Sequence, residues 1–282
     1  MGNSPIWPNF FIVGAAKAGT TSLYAWLKQH PQVFMSPIKE PHFFSRDLVI
    51  TPKFVITSQD EYLKLFENAS GFKAIGEASA SYLPFGRTVA SRIKDANPDA
   101  RIIILLRDPV ERCYSDYLMY LRSGRESRSF YDALVNSPFS GVYIQKYAEA
   151  VRGYLEVFGI SQVLVLMFEE LKSDPQVLMT KVATFLELDQ APITQIDFSI
   201  ENTGGTPKNR LTATILAVRS QIPTNSLRLP LFLKKSIRRI LLGSKPPIDP
   251  RAIDFLRPVF AEDLAELERL LGRPLPELRE VW

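Results

Sequence analysis

Phe10-Phe11-Ile12-Val13 is a short, unbroken apolar run of strand formers that ends at Gly14. Beyond a small-residue loop, Leu23, Trp26 and Leu27 recur at helical spacing until His30-Pro31 stops the pattern. Phe72–Gly76 reads as a weaker strand, and Thr88–Asn97 as a helix that ends before Pro98. The best strand is Ile102–Leu106, five aliphatic residues without a break, which implies burial on both faces of a sheet. Pro109 stands where a first helical residue tolerates a missing N–H, so a helix is predicted from there through Tyr120. Val142–Phe158 predicts a further helix, Gln162–Met167 another buried strand, and Pro175–Leu186 a helix after that.

Strands alternating with helices predict an α/β fold, a P-loop-like parallel β-sheet sandwiched by helices, with ligands at the carboxyl ends of the strands. At 282 residues the chain is long enough for a sizeable core. No repeat or low-complexity tract divides it, so a single domain is expected over 1–282, its core covering about 9–190. A helical, basic C-terminal flank with Pro-rich joints such as Lys245-Pro246-Pro247 follows over about 201–282.

An apolar share of 46% with 23% charged residues argues against disordered and fibrous classes. The longest aliphatic run near the middle is five residues, against roughly 20 needed to span a bilayer. The start does not read as a signal peptide: Trp7 and Pro8 precede the apolar burst, with no basic opening and no cleavage pattern. Ile6 stands where a myristoylation motif wants Ser or Thr. One cysteine, Cys113, excludes an intramolecular disulfide, and two histidines leave little material for zinc. A cytoplasmic enzyme without a metal is therefore the expectation. Charge sharpens it. Nine cations and no acid lie between Glu201 and Asp249; the whole chain is +4, so the remainder is net −5. So lopsided a field favours an anionic ligand, acceptor or surface nearby.

Strand, then Gly14-Ala15-Ala16-Lys17-Ala18-Gly19-Thr20-Thr21, then helix is the layout of a phosphate-binding loop. Backbone N–H groups and the positive end of the helix dipole point at an anion there. A nucleoside-triphosphate loop would place Lys and then Ser or Thr directly after the second glycine. Here Thr20-Thr21 follow Gly19, and the lysine has moved back to Lys17. A glycine-bearing turn with a solvated lysine is the bland alternative; the full Lys-x-Gly-Thr-Thr string between strand and helix makes it the poorer one. Arg107 leaves the end of the best strand, where its guanidinium can present a bidentate fork to a phosphate, and Ser115 follows eight residues later. Pairing of Arg107 with Asp108 or Glu111 is the competing account.

Lys17-Ala18-Gly19-Thr20-Thr21-Ser22-Leu23 resembles the 5′-phosphosulfate loop of the sulfotransferase superfamily, in its bacterial and heparan-type carbohydrate branch. The likeness runs from Phe10 to about Pro175, with a weaker echo to Trp282. It implies 3′-phosphoadenosine-5′-phosphosulfate (PAPS) as donor and 3′,5′-bisphosphoadenosine (PAP) as product. It implies Lys17 at the bridging region of the phosphosulfate and Ala18, Gly19, Thr20, Thr21 and Ser22 around the 5′-phosphate. Arg107 and Ser115 match the 3′-phosphate site. Lys39-Glu40-Pro41-His42-Phe43-Phe44 matches the string whose glutamate is the proposed base, so Glu40 takes that role and His42 a supporting or alternative one. Prolines and aromatics around Glu40 predict a pKa raised by desolvation. Gly76–Tyr82 matches a string on the acceptor side, but Ala78 stands where heparan-type members often carry a lysine. Gly204 and Gly205, with Lys208 or Arg210, loosely resemble the late loop that wraps the 3′-phosphate.

The implied partner is an acceptor small molecule, carbohydrate or lipid, and no nucleic acid is expected. Leu233, Ile237, Ile240 and Leu241 face away from Lys234, Lys235, Arg238 and Arg239, so peripheral membrane contact competes with packing on the domain. Two other functions compete with sulfuryl transfer: a P-loop kinase-like phosphotransferase, and a non-catalytic nucleotide- or membrane-binding module.

Overall fold

Strands β1 (Phe10–Gly14), β2 (Val33–Met35), β3 (Ala74–Ala78), β4 (Arg101–Leu106) and β5 (Val163–Met167) make one sheet in the order β2-β3-β1-β4-β5. Every pairing is parallel. They belong to a computed structural model that describes residues 5–48, 55–136, 145–199, 212 and 243–282. All residues of β1 and β3 are buried, so both faces of the sheet are covered, as the apolar runs predict. Phe10 and Phe11 are fully or almost fully buried, and such rings contribute about 1.5–3 kcal/mol each by leaving water. Phe10 pairs with Gly76, where a Cβ would come within 2.1 Å of the Phe10 ring. A glycine in the middle of β3 is thus required by the ring packed over it.

The path of the chain decides where a ligand can sit. From β1 it passes through α1 (Thr20–Leu27) to β2 at the sheet edge, and by way of α2 (Gln59–Lys64) to β3. After α3 (Gly86–Ala96) it crosses to the other side of β1 and enters β4. This reversal of direction beside β1 opens a crevice at the carboxyl ends of the strands. Among the described residues the remaining α-helices of more than five residues are α4 (Pro109–Arg122), α5 (Phe130–Asn136), α6 (Ala148–Phe158), α7 (Phe168–Ser173), α8 (Pro175–Phe185) and α9 (Pro250–Leu271).

Two compact units divide the chain. One comprises Met1–Asp108, Lys146–Asn202 and Glu262–Glu280 and holds the whole sheet; the other comprises Pro109–Gln145, Thr203–Ala261 and Val281–Trp282. In the second, Tyr114, Tyr117 and Phe130 pack with Ala252, Leu256 and Phe260, and Cys113 is a small buried member of the same core. The grouping is interleaved along the sequence, whereas composition suggests a core followed by a flank. No helix among the described residues is long and apolar enough to cross a membrane. The amphipathic pattern at 233–241 lies outside the described residues.

Most predicted elements occur within a few residues of expectation. The helix predicted from Val142 instead begins at Ala148. The backbone amides of Tyr147 and Ala148 donate to the Asp263 carboxylate at 2.8 and 3.0 Å, which caps the helix at that point.

Candidate active site

Three chain segments meet at the carboxyl ends of the central strands. The first leaves β1 at Gly14 and winds through Lys17 (φ 66°) and Gly19 (φ 92°) into α1. Its amides are held inward at two places: Ala15 N–H donates to the Leu105 carbonyl at 2.6 Å, and Ala18 N–H to the Ala15 carbonyl at 3.2 Å. A Cβ on Gly19 would lie 2.9 Å from Leu171 and 3.0 Å from Phe168, so α7 closes over the turn as nearly as glycine permits. Ser22 N–H already donates to the Gly19 carbonyl at 3.0 Å, so the Thr20 and Thr21 amides are the ones at this helix start placed to meet an anion. Thr20 and Ser22 are buried; Lys17 and Thr21 are half-buried.

The second segment follows β4. Arg107 donates from Nη1 to the Lys17 carbonyl at 3.2 Å and lies over the Phe168 ring at 4.4 Å. Tyr147 Oη donates to the Arg107 carbonyl at 2.9 Å. Arg107 thereby braces the lysine turn. Ser115 is half-buried on α4, in the other compact unit. Arg112, also there, is fully buried and donates to Asp116 at 3.2 Å and Gln145 at 3.3 Å. Gly204, Gly205, Lys208 and Arg210 lie outside the described residues.

The third segment carries Glu40. Its N–H donates to the Ala78 carbonyl at the end of β3, 2.9 Å away. Glu40 Oε1 accepts from Lys39 Nζ at 2.7 Å, and Oε2 stands 3.8 Å from His42 Nε2. His42 Nδ1 is hydrogen-bonded to Ser81 Oγ at 2.7 Å. Burial pushes the Glu40 carboxyl up, but the Lys39 ammonium, its hydrogen bond, His42 and Lys17 together hold it below the ordinary carboxylate range. The rise expected from prolines and aromatics is therefore corrected: desolvation is the largest single effect, but the cations and the Lys39 hydrogen bond together outweigh it. Burial also lowers His42, Lys39 adds to the effect, and Glu40 opposes it. Glu40 is thus an anion and His42 a neutral ring at pH 7. Lys17 is the weakest of the charges that lower Glu40.

Backbone conformation marks the same residues. Among those described, the non-glycine residues with positive φ are Lys17, Glu40, His42 and Glu187. Side chains in that region strain the backbone by roughly 1–2 kcal/mol each, and such strain gathers at functional sites. Three of the four are the predicted catalytic residues. A sequence does not announce this, since none of the three is the glycine or asparagine that usually betrays a left-handed turn.

Sequence reasoning also missed what lies underneath. Glu77, in the string assigned to the acceptor side, is fully buried within β3. It accepts from Ser79 Oγ at 2.6 Å, Tyr62 Oη at 2.8 Å and Tyr82 Oη at 3.0 Å. Burial raises its carboxyl to about 7 even though these three hydrogen bonds pull the other way. Lys39 orients Glu40 through the ion pair at 2.7 Å. Among the described residues no three His, Cys, Asp or Glu side chains gather as a metal site would.

Known proteins with this arrangement are informative. The family model described as "Sulfotransferase domain" matches residues 8–244. Human carbohydrate sulfotransferase 15 is 30% identical over 247 residues, covering 64% of this chain and 44% of that protein. Mouse heparan sulfate glucosamine 3-O-sulfotransferase 3A1 is 30% identical over 208 residues, covering 71% of this chain and 50% of that protein. The chain thus spans half or less of the length of these curated relatives. The crystal structure of a sulfotransferase from Alicyclobacillus acidocaldarius superposes with a TM-score of 0.73 at 31% identity, covering 98% of this chain and 100% of that one. A mouse sulfotransferase crystallised with PAP shares the fold at a TM-score of 0.55 and 15% identity, covering 94% of this chain and 87% of that one. With the lysine turn, the bracing arginine and the Glu40 loop at the ends of a five-stranded parallel sheet, the chain belongs to the sulfotransferase family.

Proposed function

We propose that the chain transfers a sulfuryl group from PAPS to an acceptor hydroxyl or amine. The observation that carries this reading is the placement of the Lys17 turn after β1 and of the Glu40 loop, tied to the end of β3, at the carboxyl ends of two paired strands, a cation for the leaving phosphate and a carboxylate for the acceptor proton. Glu40 takes the proton as the acceptor atom attacks sulfur in line with the departing phosphate. The new bond to sulfur forms as the bridging S–O bond breaks, and the product nucleotide is PAP. The attacking group grows more acidic as its bond to sulfur forms, so a carboxylate below the ordinary range still serves late in the step. Lys17 and the amides at the start of α1 neutralise charge on the leaving oxygen, while Arg107 holds the nucleotide. His42 supports Glu40. The scheme requires no metal. The named acceptors of the relatives are carbohydrates, which favours a carbohydrate hydroxyl here.

Isothermal calorimetry separates this from a kinase. PAP should bind at least about tenfold more tightly than ATP with magnesium, a gap of about 1.4 kcal/mol or more. The reverse order would sink the proposal.

A second test uses pH. Lys39 favours the charged form of Glu40, and the base works only when charged. Removing that cation in Lys39→Met raises the Glu40 pKa, so activity must appear later as pH rises. The acid limb of kcat/KM should move to higher pH. An unmoved limb would mean that Lys39 does not govern the base.

A further inference from the structure

Glu77 lies fully buried beneath the Glu40 loop, and nothing in the transfer chemistry uses it. Its oxygens receive three hydroxyl protons, from Ser79 at 2.6 Å, Tyr62 at 2.8 Å and Tyr82 at 3.0 Å. Two of those hydroxyls also face the loop above. His42 N–H donates to Ser79 Oγ at 3.3 Å, and Phe44 N–H donates to Tyr82 Oη at 3.2 Å. A hydroxyl has one proton to give. Once the carboxylate takes it, the lone pairs that remain are aimed at the loop amides, so Glu77 sets the direction of both connections. Tyr62 supports the same loop differently, stacking its ring on Phe43 with centroids 4.2 Å apart. A buried carboxylate is a poor choice for stability, since an apolar replacement of similar volume is often neutral or better. Its use here is to fix one geometry.

We infer that Glu77 is a positioning residue for the transfer step: through Ser79 and Tyr82 it fastens the His42 and Phe44 amides and so fixes where Glu40 and His42 stand. The inference rests on the reading of Glu40 as base. With the Glu40 N–H bonded to the Ala78 carbonyl, the loop is tied at three amides to the segment around Glu77, across two strained residues. Cutting one tie lets the base drift, and a displacement of about 1 Å is worth up to about 100-fold in rate.

The test compares Ser79→Ala, Ser79→Thr, Glu77→Gln and the double variant Glu77→Gln/Ser79→Ala with the wild-type chain at pH 8, above the value of about 7 to which burial raises Glu77. Ser79→Ala should lower kcat by about 10- to 100-fold with PAP affinity unchanged by calorimetry, and Ser79→Thr, which keeps the hydroxyl, should restore most of it. The double variant should be no worse than the poorer single one, as for residues acting as a unit. Amide hydrogen exchange gives a readout independent of turnover: the His42 N–H should exchange faster in Ser79→Ala, and both the His42 and Phe44 N–H groups in Glu77→Gln. If Glu77→Gln does not fold, the Ser79 pair decides the matter. Unaltered exchange at His42, wild-type turnover in Ser79→Ala, or losses that multiply in the double variant would each overturn the inference. Failure of the underlying readings looks different: PAP does not bind, which sinks the transfer reading, or Glu40→Gln keeps its turnover, which sinks Glu40 as base, while His42 exchange still responds to Ser79→Ala.

Discussion

Glu40→Gln will lower kcat by about 10²- to 10⁴-fold, the range for loss of a general base, and leave PAP affinity essentially intact. Glutamine has nearly the same shape, and its carbonyl oxygen can still accept from Lys39, which reaches Glu40 Oε1 at 2.7 Å. What disappears is the anionic oxygen that takes the acceptor proton. The loop amides and Lys17 remain, so the nucleotide should still bind. Initial-rate kinetics with saturating donor, alongside calorimetry with PAP, measure the two quantities. The neighbouring histidine gives the result its discriminating power. His42 Nε2 is 3.8 Å from Glu40 Oε2, and the ring is neutral at pH 7, so it is itself able to accept a proton. Turnover that survives in Glu40→Gln and collapses in His42→Ala would transfer the role of base to the ring.

Lys17→Ala should lower kcat by about 10²- to 10³-fold, as when one preorganised donor is taken from a developing oxyanion. Alanine keeps the backbone at 17 and therefore the carbonyl that accepts from Arg107 at 3.2 Å. The change removes the ammonium without removing the bond that braces the turn. Transfer of sulfur builds negative charge on the bridging oxygen, so the loss should be larger in kcat than in donor affinity. Single-turnover rates with excess enzyme would isolate the step. A variant with near wild-type turnover would show that the loop amides suffice and that the lysine has another purpose.

The strands were legible where the sequence carries unbroken aliphatic runs, as in Ile102–Leu106, because burial on both faces leaves no other composition. Strand β2 was missed: Val33, Phe34 and Met35 are three residues between Pro31 and Pro37, too few to display a period. Helix α2 was missed because Gln59–Lys64 is mostly polar and buries Tyr62 within its span. In the candidate site, the roles proposed for Lys17, Gly19 and Glu40 come from chemistry local to a short string. The Glu77 connections were not legible. They join residues 2 to 38 positions apart, and the packing of α2 and of the segment after β3 decides which hydroxyls reach the carboxylate. The direction of the Glu40 shift was misjudged for a related reason. Prolines and phenylalanines suggested a dry pocket, while the position of the Lys39 ammonium depends on a turn that the sequence does not specify.

The left-handed backbone at Lys17, Glu40 and His42 has an evolutionary corollary. Glycine would relieve the strain at each position, so selection for thermal resistance and selection for turnover pull against one another at these three codons. A library sorted by heat challenge should drift toward glycine there and enrich inert proteins, whereas one sorted by sulfation would hold the strained residues and gather its stabilising changes elsewhere.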